Sequence, residues 1–140
     1  MAGRRYYPTV RLGCLAMIVG LSGCAGGFQS PSPEELVGQR ATQWAEALMV
    51  QDFDTALEMT TPGFRKSPRA SRYRADFAGA SWWQDVSLKW VKCEEGEEPL
   101  SCEVRQIIMF MRPPAVSSPI PMPYDTTWVK LEGNWYVFNQ

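Results

Sequence analysis

The 140-residue sequence contains no histidine, which excludes several kinds of chemistry. Histidine is the most common general base and metal ligand in proteins, and it activates the nucleophile of Ser/His and Cys/His dyads. Lysine and arginine are also few, 14 against 15 acidic residues, whereas proteins that bind duplex nucleic acid need a basic surface. The composition therefore argues against a histidine-dependent active site, a metal centre and nucleic acid as the main partner.

Long hydrophobic runs are also absent, and the longest one lies near the amino terminus. Residues 12–21 form an apolar run of about ten residues, whereas a membrane-spanning helix needs roughly 20. The run follows Arg4, Arg5 and Arg11 and precedes small residues, as in a secretory signal. We therefore expect residues 1–23 to be a signal peptide. Its removal would take away three of the 14 basic residues and no acidic one, so 11 would face 15 and the formal charge would be −4.

The signal ends in Leu21, Ser22, Gly23 and Cys24, which resembles the lipobox of bacterial lipoproteins. In that family the cysteine thiol receives a diacylglycerol, the signal is removed, and the new amino terminus is acylated with a chain such as palmitate. The resemblance implies that Cys24 anchors the protein to a membrane. It also implies the outer membrane, with the domain facing the periplasm, because Gly26 stands where inner-membrane lipoproteins often have aspartate. The alternative is an unmodified cysteine behind an ordinary cleavage site.

Residues 24–33 are rich in glycine, serine and proline, which predicts a flexible tether before a domain at residues 34–140. Ser32 can cap a helix, Pro33 suits the first helical position, and Glu35 completes a capping box. The residues that follow at helical spacing form one apolar stripe: Val37, Ala41, Trp44, Ala45 and Leu48.

Two more helices are predicted before the pattern changes to strands. One covers residues 52–59 and ends at the helix breakers of residues 61–63. The other begins at Ser67 and Pro68, by the same logic of a cap followed by proline. Its inner face carries two aromatic residues, Tyr73 and Phe77.

The second half of the domain predicts a sheet of four strands. Runs of β-branched and aromatic residues mark the strands at residues 86–93, 102–111, 126–131 and 135–138, and the last two form a hairpin. Residues 113–123 contain five prolines and should not form a central strand, because proline cannot donate to the ladder.

Cys93 and Cys102 lie at facing ends of the first two predicted strands, and we expect them to form a disulfide. Export to an oxidising compartment supports this pairing, which would contribute roughly 2–3 kcal/mol to stability. The alternatives are two unpaired thiols or, less plausibly, a metal site with too few ligands. In an antiparallel pair of strands, this disulfide would place three residue pairs opposite each other. Val91 would face Val104 in an apolar pair, Trp90 would face Arg105 in a cation–π pair, and Lys92 would face Glu103 in an ionic pair.

Residues 40–65 and the final hairpin at residues 128–138 resemble the NTF2-like family of cone-shaped α+β domains. The resemblance implies three amino-terminal helices packed on a curved antiparallel sheet, with a pocket at the wide end of the cone. The aromatic residues available to line that pocket are Trp44, Phe64, Tyr73, Phe77, Trp82, Trp83, Phe110 and Trp128. The alternative is that most of them simply fill the core.

Enzymes of the resembled family, such as ketosteroid isomerases and polyketide cyclases, use an aspartate or histidine in the pocket. The candidates in this sequence are Asp76, Asp85 and Asp125, with Tyr73 as a donor. A catalytic carboxylate would have to be buried to raise its pKa towards working pH. Asp76 follows Arg72 by four residues, which favours a surface ion pair.

Three charged or proline-rich segments remain open to two interpretations each. Residues 94–98 are either a solvated hairpin tip or an acidic docking tip, and residues 113–123 are either an edge loop or a polyproline surface read by another protein. A cluster of five basic residues is either a solvated helix face or a contact for phosphates or an acidic partner. Its members are Arg65, Lys66, Arg69, Arg72 and Arg74.

The sequence therefore predicts a non-enzymatic, lipid-anchored envelope module that binds a partner protein or an apolar small molecule, without cofactor or metal. A homodimer is compatible with this interpretation. The competing hypothesis is a small-molecule isomerase or cyclase that uses a pocket aspartate. A buried aspartate facing an apolar cavity would favour the enzyme.

Overall fold

A computed structural model describes residues 30–138 of the chain. The predictions of a signal peptide, a lipidated Cys24 and most of the tether lie outside the described residues. Within residues 30–138, no helix is both long and apolar enough to cross a membrane.

The first two helices form close to their predicted positions, and the first begins at its predicted cap. Helix α1 covers Pro33–Met49, and the Ser32 side chain accepts a hydrogen bond from the Glu35 backbone N–H at 3.2 Å. All five residues of the predicted apolar stripe are buried. Helix α2 covers Phe53–Glu58, is capped by Asp52 and buries Phe53.

The prediction of a single third helix is wrong. The chain instead forms α3 (Pro62–Arg65), a 3₁₀ turn (Pro68–Arg72), α4 (Tyr73–Asp76) and a second 3₁₀ turn (Ala78–Trp82). Ser67 does not cap, since its hydroxyl donates to the carbonyl of Phe64 at 2.7 Å. Pro62 and Pro68 each begin a short segment, because proline has no N–H and restricts the residue before it. No proline lies at the later breaks, after Arg72 and after Asp76.

Four antiparallel strands follow, as predicted, and neighbours in sequence are neighbours in the sheet. They are β1 (Trp83–Cys93), β2 (Ser101–Phe110), β3 (Ile120–Leu131) and β4 (Asn134–Phe138). Together with the helices they form an α+β fold.

The proline-rich segment does not form a central strand, as predicted, but the prediction of a loop is wrong for its last residues, which begin β3. Pro121 pairs with Met109 and Pro123 with Ile107. Because β4 pairs only with residues 127–131 of β3, the first part of β3 has no described strand on its other side. The two prolines are two residues apart, so both missing N–H groups lie on one edge, where a strand tolerates them.

The disulfide and register predicted for β1 and β2 are confirmed. Cys93 and Cys102 are bonded, and the three residue pairs that precede them on β1 align as expected. The Arg105 guanidinium lies 5.1 Å from the centre of the Trp90 ring, which confirms the cation–π contact.

The ion pair predicted between Lys92 and Glu103 does not form, although the two residues face each other. The Lys92 ammonium lies 4.9 Å from the centre of the Trp90 ring on its own strand. An exposed ion pair contributes little to stability in water, so the contact of the Lys92 ammonium with the indole ring of Trp90 competes with it.

Helix α1 lies on one face of the sheet, which we call the inner face. The side chains of Cys102, Val104, Gln106 and Ile108, at alternate positions of β2, are buried on it. Gly38 lets α1 lie close to β1, because a Cβ atom there would be only 2.8 Å from Cδ2 of Leu88.

Candidate functional site

The inner face becomes more exposed towards the end where β2 finishes and β3 begins. Trp83 pairs with Phe110 and Phe110 with Ile120, so these three residues form a row across three strands. Ile120 is 43% exposed and Met122, next along the same face of β3, is 38% exposed. We call Trp83, Phe110, Ile120 and Met122 the open-end apolar surface.

Trp82 and Arg112 border this surface. Met111 donates its backbone N–H to the carbonyl of Trp82 at 3.0 Å, which extends the pairing of β1 and β2 past Trp83. The Arg112 guanidinium lies 5.8 Å from the centre of the Trp82 ring. An aromatic ring and a cation are therefore available beside the apolar side chains.

Deeper in the domain, aromatic side chains pack against one another. The Trp44 ring contacts Phe77 edge-on at 5.5 Å between centroids, and Tyr124 lies 6.1 Å from Trp44 and 5.4 Å from Trp83. Tyr73 lies 4.7 Å from Phe77. This cluster fills the space between α1, α4 and the sheet.

The eight aromatic residues predicted to line a pocket divide into two groups. Six belong to the core or pack against it: Trp44, Phe64, Tyr73, Phe77, Trp83 and Trp128. Phe110 lies on the open-end apolar surface and Trp82 borders it. Trp83 belongs to both regions, because it packs against the core at the edge of that surface.

The sequence interpretation missed Ile120, Met122 and Tyr124. They lie in or just after the segment assigned to a loop because of its prolines. The signal that could have found them is their period-two alternation, which continues through Thr126 to Trp128 and is typical of a strand with one buried face.

The aromatic cluster contains hydroxyl groups that remain protonated at neutral pH. The Trp44 indole N–H donates to the Tyr73 hydroxyl at 2.8 Å. Burial raises the pKa of Tyr73 and of Tyr124 above the ordinary value of a phenol. Both side chains are therefore neutral hydrogen-bonding groups inside an apolar environment.

Gln106 is fully buried on the inner face, directly opposite Tyr124. Its Nε2 donates to the carbonyl of Ala41 on α1 at 3.2 Å. Its Oε1 has no hydrogen-bond partner in the part of the chain that the structure describes. An isolated buried acceptor of this kind is uncommon in folded proteins.

The three aspartates considered for catalysis lie away from the aromatic cluster. Asp76 is exposed, and the ion pair that we predicted for it with Arg72 is absent, because the two lie in different helical segments rather than one continuous helix. Asp85 is exposed on the outer face. Asp125 accepts two hydrogen bonds of 2.7 Å from Arg105, which hold the pKa of Asp125 below its usual value.

The five clustered basic residues do not form one free surface. Arg65 donates to the carbonyls of Glu58 and Thr60 and also lies over the Tyr136 ring, and Arg74 lies over the Phe53 ring. These two side chains hold parts of the fold together. The other three are exposed: Lys66, Arg69 and Arg72.

Residues 94–98 of the loop between β1 and β2 are also exposed. Within residues 30–138, no group of three or more Cys, Asp or Glu residues is arranged to hold a metal ion.

No protein-family model matches the chain, and no curated protein matches it in sequence. Solved structures do match. An SEC-C motif protein from Rhodopseudomonas palustris is 22% identical with a TM-score of 0.54, and the match covers 77% of this chain and 76% of that one. A protein assigned as an NTF2-like transpeptidase from Campylobacter jejuni is 12% identical with a TM-score of 0.52, over 73% and 96% of the two chains. At these identities the similarity concerns the fold alone, and that fold, helices packed on a four-stranded antiparallel sheet, is NTF2-like.

Proposed function

We propose that this protein is a lipid-anchored envelope protein whose domain binds an apolar ligand, or an apolar segment of a partner protein, without catalysing a reaction. The observation that carries the proposal is the open-end apolar surface. Fully burying a large apolar side chain contributes about 1.5–3 kcal/mol. Ile120 is 43% exposed and Met122 is 38% exposed, so covering the exposed part of each contributes about 1 kcal/mol to binding.

The positions of the carboxylates favour binding over the isomerase or cyclase alternative. Such an enzyme needs an acid or base within reach of a substrate in the pocket. Asp76 and Asp85 are exposed, and the bidentate bond from Arg105 keeps Asp125 ionised on the surface. Tyr73 and Tyr124 are neutral phenols, which suit recognition of a ligand better than proton abstraction.

Ile120→Ser is expected to weaken binding of the fluorescent apolar probe 8-anilinonaphthalene-1-sulfonate at least about fivefold, because it removes an exposed apolar side chain from the binding surface. Fluorescence titration measures the change. Leu131→Ser is the matched control, since Leu131 lies on the same strand and is 41% exposed. It should change affinity less than twofold. Equal losses in the two folded variants would contradict the proposal.

Cys24→Ala is expected to abolish incorporation of labelled palmitate and to release the protein from the membrane fraction. The motivation is the resemblance of residues 21–24 to a lipobox, and two or more acyl chains are enough for stable anchoring. Cys14→Ala is the control, because Cys14 lies inside the apolar run that is removed with the signal. Equal labelling of wild type and Cys24→Ala would end this part of the proposal.

The membrane is part of the same proposal. Gly26 in place of aspartate supports retention at the outer membrane, with the domain facing the periplasm. The short tether then keeps the domain close to that membrane.

A further inference from the structure

Arg112 is the one charged side chain in the segments that form the open end of the sheet. Residues 78–84 and 106–124 contain the whole open-end apolar surface, and Arg112 alone among them carries a charge at neutral pH. The strands β1, β2 and β3 have one acidic residue each, and the residue pairing places all three on the outer face: Asp85, Glu103 and Asp125. A ligand on the apolar surface would therefore have a positive charge beside it and no acidic side chain of these strands on its own face.

The guanidinium of Arg112 is available to bind an anion. Arg112 follows Phe110 by two residues, roughly 7 Å along an extended chain, and its side chain is exposed. The guanidinium lies 5.8 Å from the centre of the Trp82 ring, and no acidic side chain among residues 30–138 is within ion-pair distance of it. A guanidinium that stacks on an aromatic ring keeps the N–H groups at its edge, so Arg112 can still donate to two oxygens of an anion.

The open-end apolar surface has the size of one small molecule. Its row of Trp83, Phe110 and Ile120 crosses three strands, and neighbouring strands are about 4.8 Å apart, so the row is roughly 10 Å wide. A pair of aromatic rings or a short acyl chain covers that width. A head group at the end of such a body would lie beside Arg112.

We propose that the open-end apolar surface binds a single amphiphilic molecule whose anionic head group, a carboxylate, sulfonate or phosphate, is held by Arg112. The inference rests on the proposed function and narrows it to a class of ligand. At the border of the surface the head group keeps contact with water while it accepts charge-assisted hydrogen bonds from the guanidinium. A cationic head group would be repelled there.

The test compares two fluorescent probes with the same body, 8-anilinonaphthalene-1-sulfonate and the uncharged N-phenyl-1-naphthylamine. It uses residues 24–140 with Cys24→Ala, which include every described residue and carry no lipid. At low ionic strength, Arg112→Gln should weaken binding of the sulfonate about fivefold, the upper range for a part-exposed ion pair, and change binding of the uncharged probe less than twofold. Arg112→Lys, which keeps the charge, should recover most of the loss.

Arg69→Gln is the matched control, because it removes the same charge from an exposed position in the 3₁₀ turn Pro68–Arg72. It should change the affinity for either probe less than twofold. An equal effect of Arg112→Gln on the two probes, or an equal loss of sulfonate binding in Arg69→Gln, would overturn the inference.

Ile120→Ser separates this inference from the proposed function, since it should weaken both probes. If it does so while Arg112→Gln leaves sulfonate binding unchanged, the apolar surface stands and the anionic head group is wrong. If Ile120→Ser weakens neither probe, the proposed function fails and the inference fails with it. Sedimentation of the same chain with phosphatidylglycerol vesicles, abolished by Ile120→Ser, would assign the surface to a bilayer and overturn the inference of a single bound molecule.

Discussion

Replacing Trp44 by alanine is expected to lower the free energy of unfolding by about 3–5 kcal/mol, the usual range for removing a large aromatic side chain from a core. Trp44 is 1% exposed and contacts Phe77 and Tyr124. The substitution also removes the donor to the Tyr73 hydroxyl. Urea unfolding followed by circular dichroism measures the change, provided that the transition is two-state.

Trp82→Ala is the matched control for this prediction. The side chain has the same size, but Trp82 is 37% exposed and its recorded ring contact is with Arg112. We expect it to cost less than about 1 kcal/mol, as most surface substitutions do. Similar losses in the two variants would mean that the aromatic cluster is not the centre of the core.

The double substitution Cys93→Ala with Cys102→Ala is expected to cost about 2–3 kcal/mol, because the disulfide closes a short loop and restricts the unfolded chain. Wild-type protein unfolded in dithiothreitol should lose a similar amount. The double variant should lose nothing further in the same reductant, which controls for effects of the reductant itself. An oxidised wild type no more stable than the variant would contradict the prediction.

The same disulfide fixes the register of β1 and β2 at the end of the pair opposite to the candidate site. It joins directly opposed residues of β1 and β2, and a slip by one residue would turn every side chain of a strand to the other face. The alignment of Trp83 with Phe110 depends on that register, although two irregularities in β1 intervene. Loss of the disulfide should therefore loosen the far end of the pair less than the end next to it.

Local features of the sequence were sufficient to predict much of the fold. Ser32 and Pro33 start α1, because a cap and a proline act on the first turn of the helix alone. Runs of β-branched and aromatic residues predicted four strands, and the two cysteines predicted the β1–β2 register. These signals depend on neighbours in sequence or on one covalent bond, so they can be interpreted without knowing the rest of the structure.

Other features depended on contacts between distant segments. Proline composition alone predicted a loop at the start of β3, yet the segment is a strand because it pairs with β2. Its prolines are tolerated because β4 does not extend alongside them. Lys92 lies over Trp90 rather than beside Glu103 because two partners compete in space.

The sequence by itself determined the residue types and their periodicity, and these predict the α+β class. It also determined the absence of histidine, which excludes the kinds of chemistry that depend on that residue. Only the tertiary structure decided that Trp82 is exposed, and that Gln106 lies beneath α1, where its Oε1 has no hydrogen-bond partner among residues 30–138. The burial of these side chains depends on how α1 packs across the sheet. The order of residues along the chain does not specify that packing.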